Sequence, residues 1–223
     1  RALVGGRGEH TFRGFNRATQ LKRQPGSTMK PLAVYTPALE QGYDVFERLK
    51  DSPLNINGYE PMNFDRRFRG EVTMYEALIR SYNVPPVWLL DKMGVDYGTN
   101  AVKRFGIPLT EADYTHALAL GGMSEGVSPL QMAEAYSVFP NDGLRVEAHS
   151  IKRIENADGE LIGKWHHNAV KVTDSEVAQK MNFMLRGVID EGTGTKAQVD
   201  GWEIAGKTGT TQLPFALQDG AKD

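Results

Sequence analysis

The amino-acid sequence predicts a fold of mixed helices and strands, and three observations support this class. Capping residues stand ahead of apolar runs with helical spacing through much of the chain. Two runs of strand-forming residues, 149–155 and 160–165, flank a turn that ends at Gly159, which is the pattern of a β-hairpin. A further run of alternating apolar residues, 202–210, predicts another strand.

Length and composition are those of one domain or of part of a larger one, because 223 residues with 40% hydrophobic side chains can bury a core. The net charge of −2 and the pI of about 6.3 give no electrostatic reason to expect nucleic acid as a partner. The absence of cysteine excludes disulfides and thiolate metal sites. Neither an apolar run of about 18 residues nor a signal peptide is present, so any membrane anchor is expected outside this sequence.

Both ends of the chain are expected to be truncated. Residues 1–6 have the pattern of the tail of a strand whose start is missing, and the chain stops in a polar stretch soon after residue 210. We therefore expect residues 1–223 to be one domain that is cut at both ends.

The first predicted helix begins at Ser27 and ends at Gly42. Pro31 disfavours helical backbone angles at Lys30, so either the first turn is distorted or tertiary contacts hold Lys30 in place. Residues 43–70 lack periodicity and predict a long loop, which in a compact domain is usually functional or packed over a site.

Five further helices are predicted from their caps, prolines and stop residues. In chain order they are a short helix capped by Thr73 that ends at Ser81, one from Pro85 to Gly94, one over 99–106, one capped by Ser128 and one capped by residues 173–176. The predicted buried side of the Ser128 helix is Leu130, Met132, Ala133, Ala135, Tyr136 and Phe139. That of the last helix is Val177, Met181, Met184, Leu185 and Val188.

Ser27 and Lys30 lie three residues apart, which puts both side chains on one face of a helix. A serine hydroxyl needs a neighbouring base at neutral pH, and a lysine serves if its surroundings hold it unprotonated. The unpaired N–H groups and the positive dipole of a helix start would also stabilise a developing anion. Ser27 is therefore the candidate nucleophile and Lys30 its candidate base. Chance alone supplies roughly 0.4 such pairs in a chain of this composition, so a capped helix with a solvated lysine is the alternative.

Two further motifs support the chemical interpretation. Ser81-Tyr82-Asn83 stands at a predicted junction between a helix and a loop, and the Lys-Thr-Gly-Thr run 207–210 follows in the predicted last strand. Chance produces the three motifs in this order about once in several hundred chains of this composition. A cation at Lys207 would also help to keep Lys30 neutral.

Three other patterns have plainer interpretations. Residues 192–197 match the dinucleotide pattern Gly-x-Gly-x-x-Ala, but a helix precedes them where a strand is required, so we expect a flexible connection beside the site. His166 and His167 lack a spaced partner ligand and are expected in an exposed loop. The arginines of 66–69 favour a solvated loop over a nucleic-acid patch. No metal and no cofactor is therefore predicted.

The three motifs together resemble the penicillin-binding protein and serine β-lactamase superfamily. Wider stretches resemble the transpeptidase domain of class A, bifunctional penicillin-binding proteins. These stretches are residues 15–19, 23–27, 70–73, 76–78 and 126–133. The resemblance covers nearly the whole chain.

This resemblance implies an α/β (α+β) fold in which an antiparallel sheet flanked by helices lies beside an all-helical lobe, with the active-site cleft between them. The closing strands of the family are absent from residues 1–223, so the sheet is expected to be incomplete. The glycosyltransferase domain and the membrane anchor of class A members are also absent from this sequence. The implied location is the extracytoplasmic face of the bacterial cell membrane, reached through that anchor.

The implied activity is a D,D-transpeptidase that cross-links peptidoglycan stem peptides through a serine acyl-enzyme and is acylated by β-lactams. Its partners would be a stem peptide ending in D-Ala-D-Ala and an acceptor stem amine. By resemblance, Lys30 is the general base, Ser81 relays a proton towards the leaving amine and Asn83 holds the substrate amide. The resemblance also implies that Lys207, Thr208 and Thr210 bind the terminal carboxylate, with Gly209 in the same substrate-binding run. It implies that the N–H groups of Ser27 and Thr210 form the oxyanion hole.

Two departures bear on the alternatives. The middle residue of the second motif is Tyr82 rather than Asp, and no Asn follows a Glu by four residues as it does in class A β-lactamases. A D,D-carboxypeptidase and a β-lactamase stay as alternatives among enzymes. A catalytically silent β-lactam-sensing or scaffold module is the alternative outside them.

Overall fold

The computed structural model describes residues 3–8, 11–166 and 168–211, and it has the predicted α/β class with antiparallel strand pairs. The helices of the described part are α1 (Thr36–Glu40), α2 (Met74–Ile79), α3 (Val84–Met93), α4 (Val95–Arg104), α5 (Pro129–Ser137) and α6 (Ser175–Asp190). Its strands are β1 (Arg48–Asp51), β2 (Gly70–Thr73), β3 (Leu144–Arg145), β4 (Arg153–Glu155), β5 (Leu161–Lys164) and β6 (Val170–Lys171).

The described strands form three two-stranded antiparallel sheets, β1 with β2, β3 with β6, and β4 with β5. The pairing of β4 with β5 confirms the predicted hairpin and contains an irregularity between Ile154 and Glu155. The pairing of β1 with β2 was not predicted, because both strands lie at the ends of the predicted loop 43–70. Each of these strands buries one apolar side chain, Leu49 and Val72, and these two residues pair directly. One apolar residue per strand is too weak a pattern to distinguish a strand from a loop.

The first helical segment is distorted, as the position of Pro31 predicts. A 3-10 turn, Gly26–Met29, leads through Lys30 into a π-helix, Pro31–Tyr35, and then into α1. Lys30 nevertheless keeps helical angles, with φ −51° and ψ −47°. Proline has no N–H to donate, so the hydrogen bonds around it shift to three-residue and five-residue spacing.

Residues 29–39 are buried without exception. This segment packs against α3, α4 and α6, so the core of the domain surrounds the helix that follows the Ser-x-x-Lys motif. A fully buried helix holds its first turn in a fixed place relative to the other elements.

The other helices lie close to their predicted positions. Helix α5 begins with the complete capping box of Ser128 and Gln131, and all five predicted core residues of α6 are buried. Helix α4 begins at Val95, four residues earlier than predicted. On the predicted buried side of α5, Ala135 and Phe139 are buried, Leu130, Met132 and Tyr136 are half-buried, and Ala133 is exposed.

Two predicted strands do not form in the described residues. Residues 202–210 and 3–6 are without strand pairing; residues 1 and 2 lie outside the described part. A strand requires hydrogen bonds to a neighbour. In the run 202–210 the N–H of Gly206 donates to the carbonyl oxygen of Leu185 in α6, at 3.1 Å, and not to a strand.

Glycine backbones fill the space behind the 3-10 turn. Gly26 has φ +58°, and a Cβ on it would lie 2.4 Å from the carbonyl oxygen of Thr210. Gly121 has φ +77°, and a Cβ on it would lie 2.3 Å from the carbonyl oxygen of Gly26. Three backbone segments are therefore in direct contact at this point, with no room for a side chain between them.

We expect Gly121→Ala to destabilise the domain by roughly 3 kcal/mol or more, because the Gly26 turn would have to move. Gly58→Ala is the matched control, since Gly58 also has a positive φ, +89°, but a Cβ there meets nothing within 4 Å. The control should lose only about 1 kcal/mol, the cost of the left-handed backbone. Denaturant unfolding of both variants measures the difference. Equal losses would show that the Gly121 contact with the turn is not tight.

Candidate active site

Ser27 lies in the 3-10 turn, and its side chain is half-buried. No residue of the described part hydrogen-bonds to its hydroxyl, whereas the turn around it is well fixed. The hydroxyl of Thr28 donates to the carbonyl oxygen of Pro25 at 2.7 Å, and the hydroxyl of Tyr136 in α5 donates to the carbonyl oxygen of Thr28 at 2.7 Å. The candidate nucleophile is thus held by its backbone and keeps its hydroxyl available.

Lys30 is completely buried, with 0% exposure. Its Nζ donates at 2.8 Å to the carbonyl oxygens of Ser81 and Tyr82 and to Oδ1 of Asn83. Three acceptors favour the charged ammonium, but burial and, second, the positive charge of Lys207 oppose it. The net result is a pKa well below the ordinary lysine value of 10.5. A lysine with a lowered pKa can act as a base near neutral pH.

Ser81 has φ +58°, in the left-handed region that non-glycine residues rarely adopt. The N–H of Ser81 donates to the carbonyl oxygen of Leu78, and that of Tyr82 to the carbonyl oxygen of Ala77, both at 3.0 Å. These two bonds form a Schellman motif at the end of α2, with Ser81 in the position that glycine usually occupies. The motif reverses the chain, and the carbonyl groups of Ser81 and Tyr82 accept from Lys30.

The hydroxyl of Ser81 lies between the two lysines of the motifs. Its Oγ is 2.8 Å from Nζ of Lys207 and 3.3 Å from Nζ of Lys30. Burial lowers the pKa of Lys207 to about 8. The Ser81 hydroxyl therefore contacts two amines whose pKa values are both lowered. Such a chain of hydrogen bonds can carry a proton from one amine to the other.

The third motif, residues 207–210, lies against the 3-10 turn that carries Ser27. Nζ of Lys207 also donates to the carbonyl oxygen of Thr208 at 2.9 Å. A Cβ on Gly209 would lie 2.8 Å from Cγ2 of Thr28, so only glycine fits there without a shift. The backbone of Thr210 is the segment that contacts Gly26 next to Ser27.

The connection 192–197 lies beside the site, as predicted. The hydroxyls of Thr193 and Thr208 are 2.6 Å apart, and the N–H of Thr193 donates to the carbonyl oxygen of Ile79 at 3.0 Å. These bonds join the connection to the third motif and to the end of α2. They were not predicted, because a hydroxyl in a glycine-rich run gives no sign of its partner.

The arginine cluster also reaches the second motif. The guanidinium of Arg69 lies 4.2 Å from the centre of the Tyr82 ring and forms an ion pair with Asp65. His166 is exposed, and His167 lies outside the described residues. Within the described ranges no three His, Asp or Glu side chains are grouped so that they could hold a metal ion.

The arrangement suits acyl transfer. It combines a serine hydroxyl in a fixed turn, a buried amine of low pKa and a second hydroxyl held by a second amine. The second hydroxyl contacts both amines, whereas the hydrogen bonds of Lys30 in the described part go to residues 81–83 and not to the Ser27 hydroxyl. These side chains are of the types that active-site-serine acyltransferases use.

The comparisons with known proteins agree with this class. The family model described as "Penicillin binding protein transpeptidase domain" matches residues 7–219, and the chain belongs to this family. It is 42% identical over 205 residues to penicillin-binding protein 2a of Streptococcus pneumoniae, covering 92% of this chain and 28% of that protein. It is also 42% identical over 211 residues to penicillin-binding protein 1F of Bacillus subtilis, covering 94% and 29%. The resemblance to class A members is thereby confirmed.

A solved structure shows the same fold. The chain superposes on the crystal structure of penicillin-binding protein 1A from Haemophilus influenzae with a TM-score of 0.78 at 28% identity, covering 88% of this chain and 36% of that one. The chain spans less than a third of the length of the two curated relatives. No helix in the part that the structure describes is long and apolar enough to cross a membrane.

The left-handed backbone of Ser81 gives a test that separates its hydroxyl from its conformation. Ser81→Gly and Ser81→Ala remove the same hydroxyl, but only glycine adopts a positive φ without cost. We expect Ser81→Gly to be about 1 kcal/mol more stable than Ser81→Ala. Thermal or denaturant unfolding of the two variants measures this difference. Equal stability would mean that the backbone at Ser81 is unstrained.

Proposed function

We propose that the domain is a D,D-transpeptidase that cross-links peptidoglycan stem peptides through an acyl-enzyme on Ser27. The observation that carries the proposal is the Ser81 hydroxyl, placed 3.3 Å from the buried amine of Lys30 and 2.8 Å from that of Lys207. Membership in the transpeptidase domain family supports it. The names of the relatives, penicillin-binding proteins 2a and 1F, support the link to penicillin.

In the proposed first step, Ser27 Oγ attacks the carbonyl carbon of the D-Ala-D-Ala amide while Lys30 takes the hydroxyl proton. The N–H groups of Ser27 and Thr210 stabilise the oxyanion of the tetrahedral intermediate. The intermediate collapses by breaking its C–N bond, Ser81 passes its hydroxyl proton to the amine of the departing D-Ala, and the proton held by Lys30 replaces it on Ser81. The amino group of an acceptor stem then attacks the acyl carbon and gives up a proton to Lys30. The bond between that carbon and Ser27 Oγ breaks, and the proton returns to Oγ to restore the hydroxyl.

The substrate carboxylate and amide have proposed partners as well. Lys207 supplies a cation, and Thr208 and Thr210 supply hydroxyl donors, which together suit a terminal carboxylate. Gly209 belongs to the same substrate-binding run and lets it lie directly against the turn that carries Ser27. Asn83 uses one Nδ2 hydrogen on the carbonyl oxygen of Met62 at 2.8 Å, so its second hydrogen is available to a substrate carbonyl.

The wider setting is also a proposal. Because the curated relatives are more than three times as long as the matched part, we propose that residues 1–223 are one part of a longer protein with a glycosyltransferase domain and a membrane anchor. This domain would then act at the extracytoplasmic face of the bacterial cell membrane. Its partners would be a stem peptide ending in D-Ala-D-Ala, an acceptor amine and β-lactams.

Covalent capture of penicillin tests the proposal. A β-lactam is a strained amide beside a carboxylate, so Ser27 should open the ring and keep the acyl group. Intact-mass spectrometry of the purified protein should show one adduct, mapped to Ser27 by digestion and missing in Ser27→Ala. Lys30→Ala should slow acylation about 100-fold or more. Lys30→Arg should not restore the rate, since a guanidinium does not act as a base near neutrality.

The fate of the adduct separates the alternatives. A long-lived adduct suits a transpeptidase or a silent sensor, and transfer of the acyl group of a D-Ala-D-Ala stem peptide to an added acceptor stem supports the transpeptidase. Rapid release to water favours a β-lactamase, and hydrolysis of D-Ala-D-Ala without use of the acceptor favours a D,D-carboxypeptidase. A folded protein that stays unmodified at high penicillin, or carries its adduct on another serine, contradicts the assignment of Ser27 and favours a silent module.

A further inference from the structure

Asn63 is buried, with 2% exposure, although it lies in the polar segment between β1 and β2. Its side-chain amide uses its full hydrogen-bonding capacity. Nδ2 donates to Oδ1 of Asp51 at 2.7 Å and to the carbonyl oxygen of Arg67 at 2.8 Å. Oδ1 accepts from the N–H groups of Asn83, at 2.8 Å, and Val84, at 3.2 Å.

Asp51 fixes the orientation of this amide. Asp51 ends β1 with 0% exposure, and its Oδ2 accepts from the N–H of Arg69 at 3.0 Å. Because a carboxylate only accepts hydrogen bonds, the group facing Asp51 must be the donor Nδ2 of Asn63. The acceptor Oδ1 of Asn63 is then directed at the backbone of Asn83.

The same segment also sets the side chain of Asn83. The carbonyl oxygen of Met62, one residue before Asn63, accepts from Nδ2 of Asn83. With its nitrogen held there, the amide of Asn83 presents Oδ1 to Nζ of Lys30 at 2.8 Å. Contacts from residues 62 and 63 therefore determine both the backbone position of Asn83 and the end of its amide that faces Lys30.

We propose that Asn63, oriented by Asp51, is a positioning residue for acyl transfer that holds Asn83 against Lys30. The inference rests on the proposed function of Lys30 as the base for Ser27. Aspartate at position 63 would place a carboxylate oxygen against Asp51 and the carbonyl of Arg67, and alanine would leave the same buried groups without partners. Only an amide satisfies the two acceptors and the two donors together.

Loss of this positioning has a defined effect on Lys30. An Asn83 amide that is free to turn removes an acceptor oxygen from Nζ of Lys30, while the charge of Lys207 is unchanged. Loss of the acceptor disfavours the ammonium, so the pKa of Lys30 falls further. The rising limb of the acylation rate against pH, which reports deprotonation of Lys30, should then move to lower pH while the limiting rate falls.

The experiment measures acylation by a fluorescent penicillin as a function of concentration and pH. After acylation of the parent protein on Ser27 is established, Asn63→Ala and Asn63→Asp are compared with it. We expect the limiting rate to fall about 10- to 100-fold, with a smaller change in the concentration that gives half the limiting rate. Asn55→Ala is the matched control, because Asn55 lies in the same segment and its side chain bonds to Glu60 and Gly58, away from Asn83. Its rate and pH profile should match those of the parent.

A charge swap separates positioning from general loss of structure. In the double variant Asp51→Asn/Asn63→Asp the hydrogen bond between the two side chains is reversed, and the carboxylate now at position 63 still accepts from the N–H of Asn83. We expect the double variant to regain part of the acylation rate that Asn63→Asp loses. This comparison tests the proposal even if Asn63→Ala does not fold. The inference would be overturned if folded Asn63 variants kept the rate and pH profile of the parent. It would also be overturned if their rates fell without a pH shift and without rescue by the double variant. A parent that is not acylated on Ser27 would instead overturn the proposed function.

Discussion

The burial of one amine is the constraint on which the rest of the structure depends. A lysine without solvent needs acceptors for its N–H groups, and Lys30 obtains them from residues 81–83. Those acceptors are available only because α2 ends in a left-handed residue that reverses the chain. The second motif therefore holds the lysine of the first motif in place, in addition to its proposed part in proton transfer.

The close contact of backbones around Ser27 meets a second requirement, which comes from the proposed acyl transfer. A nucleophile and a base have to keep their separation within a fraction of an ångström during attack. The buried segment 29–39 fixes Lys30, while glycines allow the turn of Ser27 to touch the backbones of Gly121 and Thr210. Rigidity here comes from packing and hydrogen bonds and not from a regular α-helix, since the segment contains 3-10 and π turns.

The sequence predicted the motifs and most of the helices, because spacing and caps are local properties. The pairing of β1 with β2 depends on contacts between residues that are distant in sequence, which a pattern does not report. The Schellman motif at the end of α2 is local, but it was missed because serine stands where glycine usually marks it. The predicted strand 202–210 lacked a partner strand among the described residues, and alternation alone does not supply one. Asn63 and Asp51 have no local pattern at all, so their burial was seen only in the folded chain.

The central claim is that Lys30 has a lowered pKa because it is buried and lies near Lys207. The direct test is a pH titration of isotope-labelled lysine ε-carbons by NMR, with Lys30→Arg used to assign the Lys30 signal. We expect Lys30 to titrate well below 10.5 and Lys207 near 8. Lys207→Ala removes the neighbouring positive charge and should raise the pKa of Lys30. A Lys30 signal that titrates at the ordinary lysine value, and does not respond to Lys207→Ala, would contradict the account.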